Sequence, residues 1–167
     1  TNAGPTGISS PVQIPGTTWI GNTDNSGGQQ YNILNIKTDG TLWGWGSNYY
    51  GELGQNNRTY YSSPVQIPGT TWSKAATGNY ASVAIKTNGT LWGIGHNNKG
   101  QLGQNSVVKY SSPVQVPGTT WSQITSGAYK NMALKTDGTL WAWGSNSYGE
   151  LGQNQAPAQL GNTSSPV

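Results

Sequence analysis

Apolar and polar residues alternate along this chain in short bursts, and the bursts repeat. Val12/Ile14, Val65/Ile67 and Val114/Val116 occupy alternate positions of one block, Ser-Ser-Pro-Val-Gln-Ile/Val-Pro-Gly-Thr-Thr-Trp, at 9–19, 62–72 and 111–121; its start recurs at Ser164-Ser165-Pro166-Val167. Alternation at a period of two places both apolar side chains on one face of an extended strand. The flanking prolines confine that strand to a sheet edge or to a strand end, because Pro has no N–H for the ladder. A second block reads Lys37-Thr38-Asp39-Gly40-Thr41-Leu42-Trp43 and recurs as 86–92 and 135–141, with Asn88 replacing Asp in the middle copy. Asp-Gly or Asn-Gly between alternating segments predicts a tight hairpin, with a type I′ turn expected. The copies lie 49 residues apart. With the segments 72–76 and 81–86 and their third-copy counterparts, each repeat holds about four short strands, the content of one propeller blade.

The prolines at 11, 64, 113 and 166 are spaced by 53, 49 and 53 residues. The two longer steps place four-residue insertions within 22–28 and 155–162, which are expected in surface loops. The repeat units are approximately 11–63, 64–112 and 113–165. Propellers close with about four to eight blades, so about three blades are expected to be part of a larger closed propeller, either an excerpt of a longer array or a partial ring completed by self-association.

Composition sharpens this picture. The chain of 167 residues has 25 Gly, 8 Trp, 9 Tyr, no Cys and only 8% charged residues. A disordered chain would be poor in aromatics and rich in charge. Without Cys there is no disulfide framework and no thiolate metal site. No apolar run reaches the length of a membrane-spanning helix. The net charge is +3, and the basic residues are scattered singly; nucleic-acid binders more often show a clustered stripe, and no nucleic-acid partner is expected.

The DG-x-x-W-x-WG type of hairpin, the Asn-x-x-Gly-x-Leu-Gly loop (Asn48 to Gly54 in the first copy) and the Pro-x-x-Val element together resemble the regulator-of-chromosome-condensation repeat. The resemblance covers nearly the whole chain, in phase, three times. It implies an all-β fold: β-propeller blades of four antiparallel strands, in a family whose full ring has seven blades. The founding member's activity, guanine nucleotide exchange on a small GTPase, is the alternative function it implies. Where that family often has His after the Gly preceding a strand, this chain has Tyr80 and Tyr129. No stretch carries a recognisable exchange-factor wedge.

Catalysis finds little to work with. Asp39 and Asp137 alternate with Asn88, and Glu52 and Glu150 with Gln101, so both positions ask for a hydrogen-bonding group rather than a charge. The single His, His96, aligns with Ser47 and Ser145. No nucleophile, base and acid can be assembled from this set, and no enzyme activity, cofactor or metal is assigned. Asn22-x-Asp24-x-Ser26-x-Gly28 echoes the alternate oxygen ligands of a calcium loop but has one carboxylate, and reads better as a polar turn. Trp19, Trp72, Trp121 and Trp43, Trp92, Trp141 recur in every copy and are assigned to packing between blades. The positions free to vary are the candidate binding residues: Tyr49, Tyr50, Arg58, Tyr60, Tyr61, Lys109, Tyr110 and Tyr148. Tyr among Asn, Ser and Gln is an adaptable binding chemistry. The expectation is a non-catalytic structural or binding propeller for a protein or glycan partner, extracellular or on a particle surface.

Overall fold

The computed structural model describes residues 10–21, 23–24, 31–154 and 161–167. Three sheets stand side by side as blades. The first is β1 (Trp19–Ile20), β3 (Asn32–Lys37), β4 (Leu42–Gly46) and β5 (Tyr61–Ile67), hydrogen-bonded in that order. The second is β6 (Trp72–Thr77), β7 (Ala81–Lys86), β8 (Leu91–Gly95) and β9 (Tyr110–Val116). The third is β10 (Trp121–Ser126), β11 (Lys130–Lys135) and β12 (Leu140–Gly144). Its outer edge is supplied by residues 163–167, bonded through Thr163 to Gly144 and Val167 to Ala142. All pairings within a blade are antiparallel. Pro64 and Pro113 lie in β5 and β9, the outermost strands, as an edge position requires.

The hairpin turns differ from the type I′ expectation. Only the glycines Gly40, Gly89 and Gly138 have positive φ; the preceding Asp39, Asn88 and Asp137 do not. The amide of Gly40 donates to the carbonyl of Lys37 and that of Lys37 to Thr41, a three-residue loop closed by a left-handed Gly. The side chain explains Asp and Asn alike. Asp39 Oδ1 accepts from the Thr41 amide at 2.9 Å and its hydroxyl at 2.6 Å, and Thr41 Oγ1 accepts from the Trp43 indole at 2.8 Å. Asn88 does the same toward Thr90 and Trp92 with no charge. The Lys heading each turn lies over two indoles: Lys86 Nζ is 4.8 Å from the Trp72 ring and 4.7 Å from Trp92.

After the third strand, one buried Asn organises each loop. Asn48, Asn97 and Asn146 accept through Oδ1 from the amides of Leu53, Leu102 and Leu151, so each of these buried amides has a partner within the protein. Glu52, Gln101 and Glu150 each accept the amide two residues earlier, the hydrogen-bonding role their alternation suggests.

The core lies between blades. Leu34, Ile36, Leu42, Leu53 and Ile67 of the first blade meet Trp72, Ala75, Ala84 and Ile94 of the second. One repeat later, Val83, Ile85, Leu91 and Val116 meet Trp121, Ala133 and Trp143. Each fully buried aliphatic side chain contributes about 1.5–3 kcal/mol. Backbone bonds fix the docking: the Trp72 amide reaches the Gly40 carbonyl at 2.9 Å, and Trp121 reaches Gly89 at 3.0 Å. On the far face of the third blade the same positions are open. Leu140 is 65% and Met132 42% exposed, whereas Leu91 and Val83 are fully buried.

One insertion forms structure rather than a plain surface loop. Thr23–Asp24 makes β2, which pairs in parallel with β6 along the inner edge of the second blade. Asp24 Oδ2 accepts from Thr125 Oγ1 at 2.8 Å, which spends the one carboxylate of the calcium-like sequence on the third blade. The other residues of that sequence apart from Thr23, and residues 155–160 of the insertion within 155–162, lie outside the described residues.

Candidate functional site

Tyr31, Tyr80 and Tyr129 occupy the same place in successive repeats, each just before or one residue ahead of the second strand of its blade. The 49-residue period therefore lays one phenol per blade along one face. Tyr31 and Tyr80 stack with ring centroids 6.0 Å apart and planes at 23°. His96 continues the row, 6.1 Å from Tyr80 and 6.4 Å from Tyr129. Tyr50 fills the space beside them, 5.2 Å from Tyr80, 4.2 Å from His96 and 4.7 Å from Tyr49.

A cleft of about 440 Å³ opens over these rings, lined by Tyr31, Ser47, Tyr49, Tyr50, Tyr60 and Tyr80. That volume falls in the range of small-ligand sites. Tyr49 and Tyr60 are 56% and 60% exposed. Lys109 Nζ sits 4.7 Å from the centroid of the Tyr50 ring, a cation–π contact.

Of the residues expected from sequence, Tyr49, Tyr50 and Tyr60 come together in this cleft, and Lys109 does not line it but lies over the ring of Tyr50. Tyr61 and Tyr110 hold equivalent strand positions, paired with Gly46 and Gly95. Tyr61 packs on the core and accepts from Asn57 Nδ2 at 3.1 Å. Arg58 is exposed on the loop before β5. Tyr148, 90% exposed, belongs to the third blade and does not line the cleft. Sequence reasoning passed over Tyr31, Tyr80, Ser47 and His96 as contributors. The available signal was the 49-residue recurrence of the tyrosines, which also fits a purely structural role.

The surroundings of the cleft hold His96 and Tyr80 in their neutral forms. Burial, reinforced by Lys109, lowers the His96 pKa to about 4, so the imidazole is neutral at physiological pH. Gln101 Nε2 lies 3.0 Å from His96 Nδ1; with the amide donating, the ring proton resides on Nε2. Burial, and after it the neighbouring phenols Tyr31, Tyr129 and Tyr50, raise the Tyr80 pKa, so its hydroxyl stays a donor. Glu52 is fully buried, and its carboxylate accepts from Ser47 Oγ at 3.0 Å and the Tyr50 amide at 2.7 Å. Among the described residues no three His, Asp or Glu side chains gather as a metal site.

The sequence matches the model of the regulator of chromosome condensation (RCC1) repeat over residues 39–85, 88–134 and 137–167, and a second model of that repeat over 72–101 and 121–150. No curated protein sequence matches the chain. Solved structures share the fold at low identity. Human WBSCR16 superposes with a TM-score of 0.71 at 21% identity, covering 82% of this chain and 36% of that one. Yeast RCC1 (Prp20), bound to Kap60, gives 0.72 at 19% over 82% and 33%. Prp20p from Saccharomyces cerevisiae, described with its binding properties to Gsp1p and histones, gives 0.73 at 16% over 85% and 36%. The chain thus spans about a third of the length of each.

Proposed function

The chain belongs to the regulator of chromosome condensation (RCC1) repeat family, and from that premise we propose that it is a non-catalytic binding module whose recognition surface is the tyrosine-lined cleft between its first two blades. The observation that carries this reading is the exposure of Tyr49 and Tyr60 at positions the fold does not dictate. Asn98 and Ser147 replace Tyr49 in the other repeats, and Lys109 replaces Tyr60. Aromatic rings left in water on a rigid frame gain most when a partner covers them, and such rings dominate interface energetics. The partner is a protein or a glycan. The low charge and the uncharged polar composition favour an extracellular or particle-surface setting. A further blade, from a longer array or from a second copy of this chain, would bury Met132 and Leu140 as Val83 and Leu91 are buried.

The test is selection of ligands from peptide-display and glycan arrays, followed by ¹H–¹³C spectra of the chain with labelled tyrosine rings. Ligands that shift Tyr49 and Tyr60 support the reading; ligands that shift only rings elsewhere contradict it. The second reading, a regulatory propeller acting on a small GTPase, draws on the fold shared with Prp20p, whose described binding properties include Gsp1p. Release of labelled nucleotide from Gsp1p in the presence of this chain checks it; an unaccelerated rate removes it.

A further inference from the structure

We propose that the cleft takes an acidic oligosaccharide, with pyranose faces laid on the exposed Tyr49 and Tyr60 rings and a sugar carboxylate held at Lys109. The inference rests on the cleft being the recognition surface and adds the chemistry of the ligand.

Three features of the cleft select that chemistry. The first is its stacking surface. Tyr31, Tyr49 and Tyr60 leave large parts of their rings in solvent, while Tyr50 and Tyr80 are half-buried behind them. The C–H face of a pyranose is apolar and covers such a ring, and its equatorial hydroxyls project sideways to phenol and amide groups. Tyr offers the flat face and a hydroxyl together, so one side chain serves both parts of a sugar.

The second feature is the sign of the charge. Lys109 is exposed, yet its ammonium rests on the Tyr50 ring instead of extending into solvent. This places a cation beside Tyr50, one of the rings that line the cleft. Five tyrosines would otherwise suit a cationic ligand, such as a quaternary ammonium group. Here the protein's own ammonium holds that role at Tyr50 and repels a second one.

The third feature is that, among the described residues, no carboxylate lines the cleft. The nearest acid, Glu52, is fully buried and bonded to Ser47 and to the backbone of Tyr50. The Glu52 charge behind the cleft is spent on those two bonds. A single cation beside stacking rings, rather than a stripe of them, favours a sparsely charged sugar over the densely charged phosphate backbone of a nucleic acid.

The experiment titrates the whole chain, with labelled tyrosine rings, by calorimetry and NMR. The ligands are hexagalacturonate, its fully methyl-esterified counterpart, a hyaluronan hexasaccharide and a proline decapeptide. At least one acidic oligosaccharide is expected to bind and to shift Tyr31, Tyr49 and Tyr60. Binding is expected to weaken about tenfold in Lys109→Gln and on esterification, the loss of one charge-assisted hydrogen bond, and to vanish in the Tyr49→Ala/Tyr60→Ala variant. Equal binding of the acid and its ester overturns the assignment of Lys109 and with it the proposal. Shifts of the same rings by the proline peptide but by no sugar also overturn the proposal, while leaving the cleft as the recognition surface. Sugar binding that survives the double tyrosine variant overturns both.

Discussion

Gly89 and Gly138 occupy the same turn position in adjacent repeats, and substituting each by Ala separates two costs that are otherwise entangled. Both have a left-handed backbone, with φ of 76° and 85°. Any L-residue there is strained by about 1–2 kcal/mol. Their surroundings differ. A Cβ on Gly89 would lie 3.0 Å from the backbone nitrogen of Thr120 and 3.2 Å from its Cα, whereas one on Gly138 meets no described atom within 4 Å. The Gly89 contact is with backbone, which cannot turn aside as a side chain would. It also adjoins the Trp121-to-Gly89 bond that docks the third blade on the second. Overpacking of this kind costs about 1–3 kcal/mol beyond the strain. Gly89→Ala should therefore lose about 2–5 kcal/mol and Gly138→Ala about 1–2 kcal/mol. Gly40→Ala should behave like Gly89→Ala, because its Cβ would meet Thr71 at 3.2 Å. Urea unfolding gives the difference directly, and heating should show an excess loss of roughly 2–4 °C per kcal/mol for a chain of this length. Equal losses for Gly89→Ala and Gly138→Ala would refute the claim that the turn of one blade is a docking surface for the next.

Further consequences follow from the buried polar groups. Asn97 accepts from the Leu102 amide and donates to the carbonyls of Ser106 and Val108, so Asn97→Ala should cost about 3 kcal/mol in urea unfolding by stranding buried groups, while its exposed neighbour Asn98→Ala should stay within about 0.5 kcal/mol. His96 has a folded pKa of about 4 against an ordinary 6.5; in that window the unfolded chain binds the proton the folded chain refuses, so stability falls as pH drops from 6.5 toward 4. His96→Ser, the residue of the other two repeats, should flatten that slope in pH-resolved unfolding. The Thr41 and Thr139 hydrogen bonds hold the pKa values of Asp39 and Asp137 below 3.8; their contribution is complete above the unfolded carboxylate pKa and is lost as pH falls through the lower folded one. Asp39→Asn should retain neutral-pH stability, because Asn88 makes the same bonds, and should remove this acid-side loss; a Tm drop at pH 7 comparable with that of Asp39→Ala would contradict the Asx role.

The blade architecture was legible because the 49-residue period ties each strand to its hairpin, and because Pro64 and Pro113 can stand only at an edge. The turn type was not, since Asp-Gly serves both a two-residue and a three-residue loop. What decides is the Asp39 side chain reaching forward to Thr41, an interaction that needs the coordinates. The pairing of Thr23–Asp24 with β6 was likewise hidden, because two polar residues have no period to read. At the site, variability singled out Tyr49, Tyr50 and Tyr60, which line the cleft, together with Tyr61 and Tyr110, which share a strand position opposite Gly46 and Gly95. Recurrence had the opposite effect at Tyr31 and Tyr80: a residue repeated for scaffold reasons can still present an exposed face, and only the neighbour brought to it across the blades, Tyr50, turns that face into a cleft.

The account stands or falls on the cleft as the recognition surface. The most direct measurement is the dissociation constant of an array-selected ligand for the chain and for its Tyr49→Ala/Tyr60→Ala variant, taken beside both unfolding midpoints. Because both rings are exposed, the midpoints should agree closely. The account predicts affinity weakened by about tenfold or more, as expected when aromatic anchors are truncated. An unchanged dissociation constant with an unchanged midpoint would place the binding surface elsewhere and contradict it.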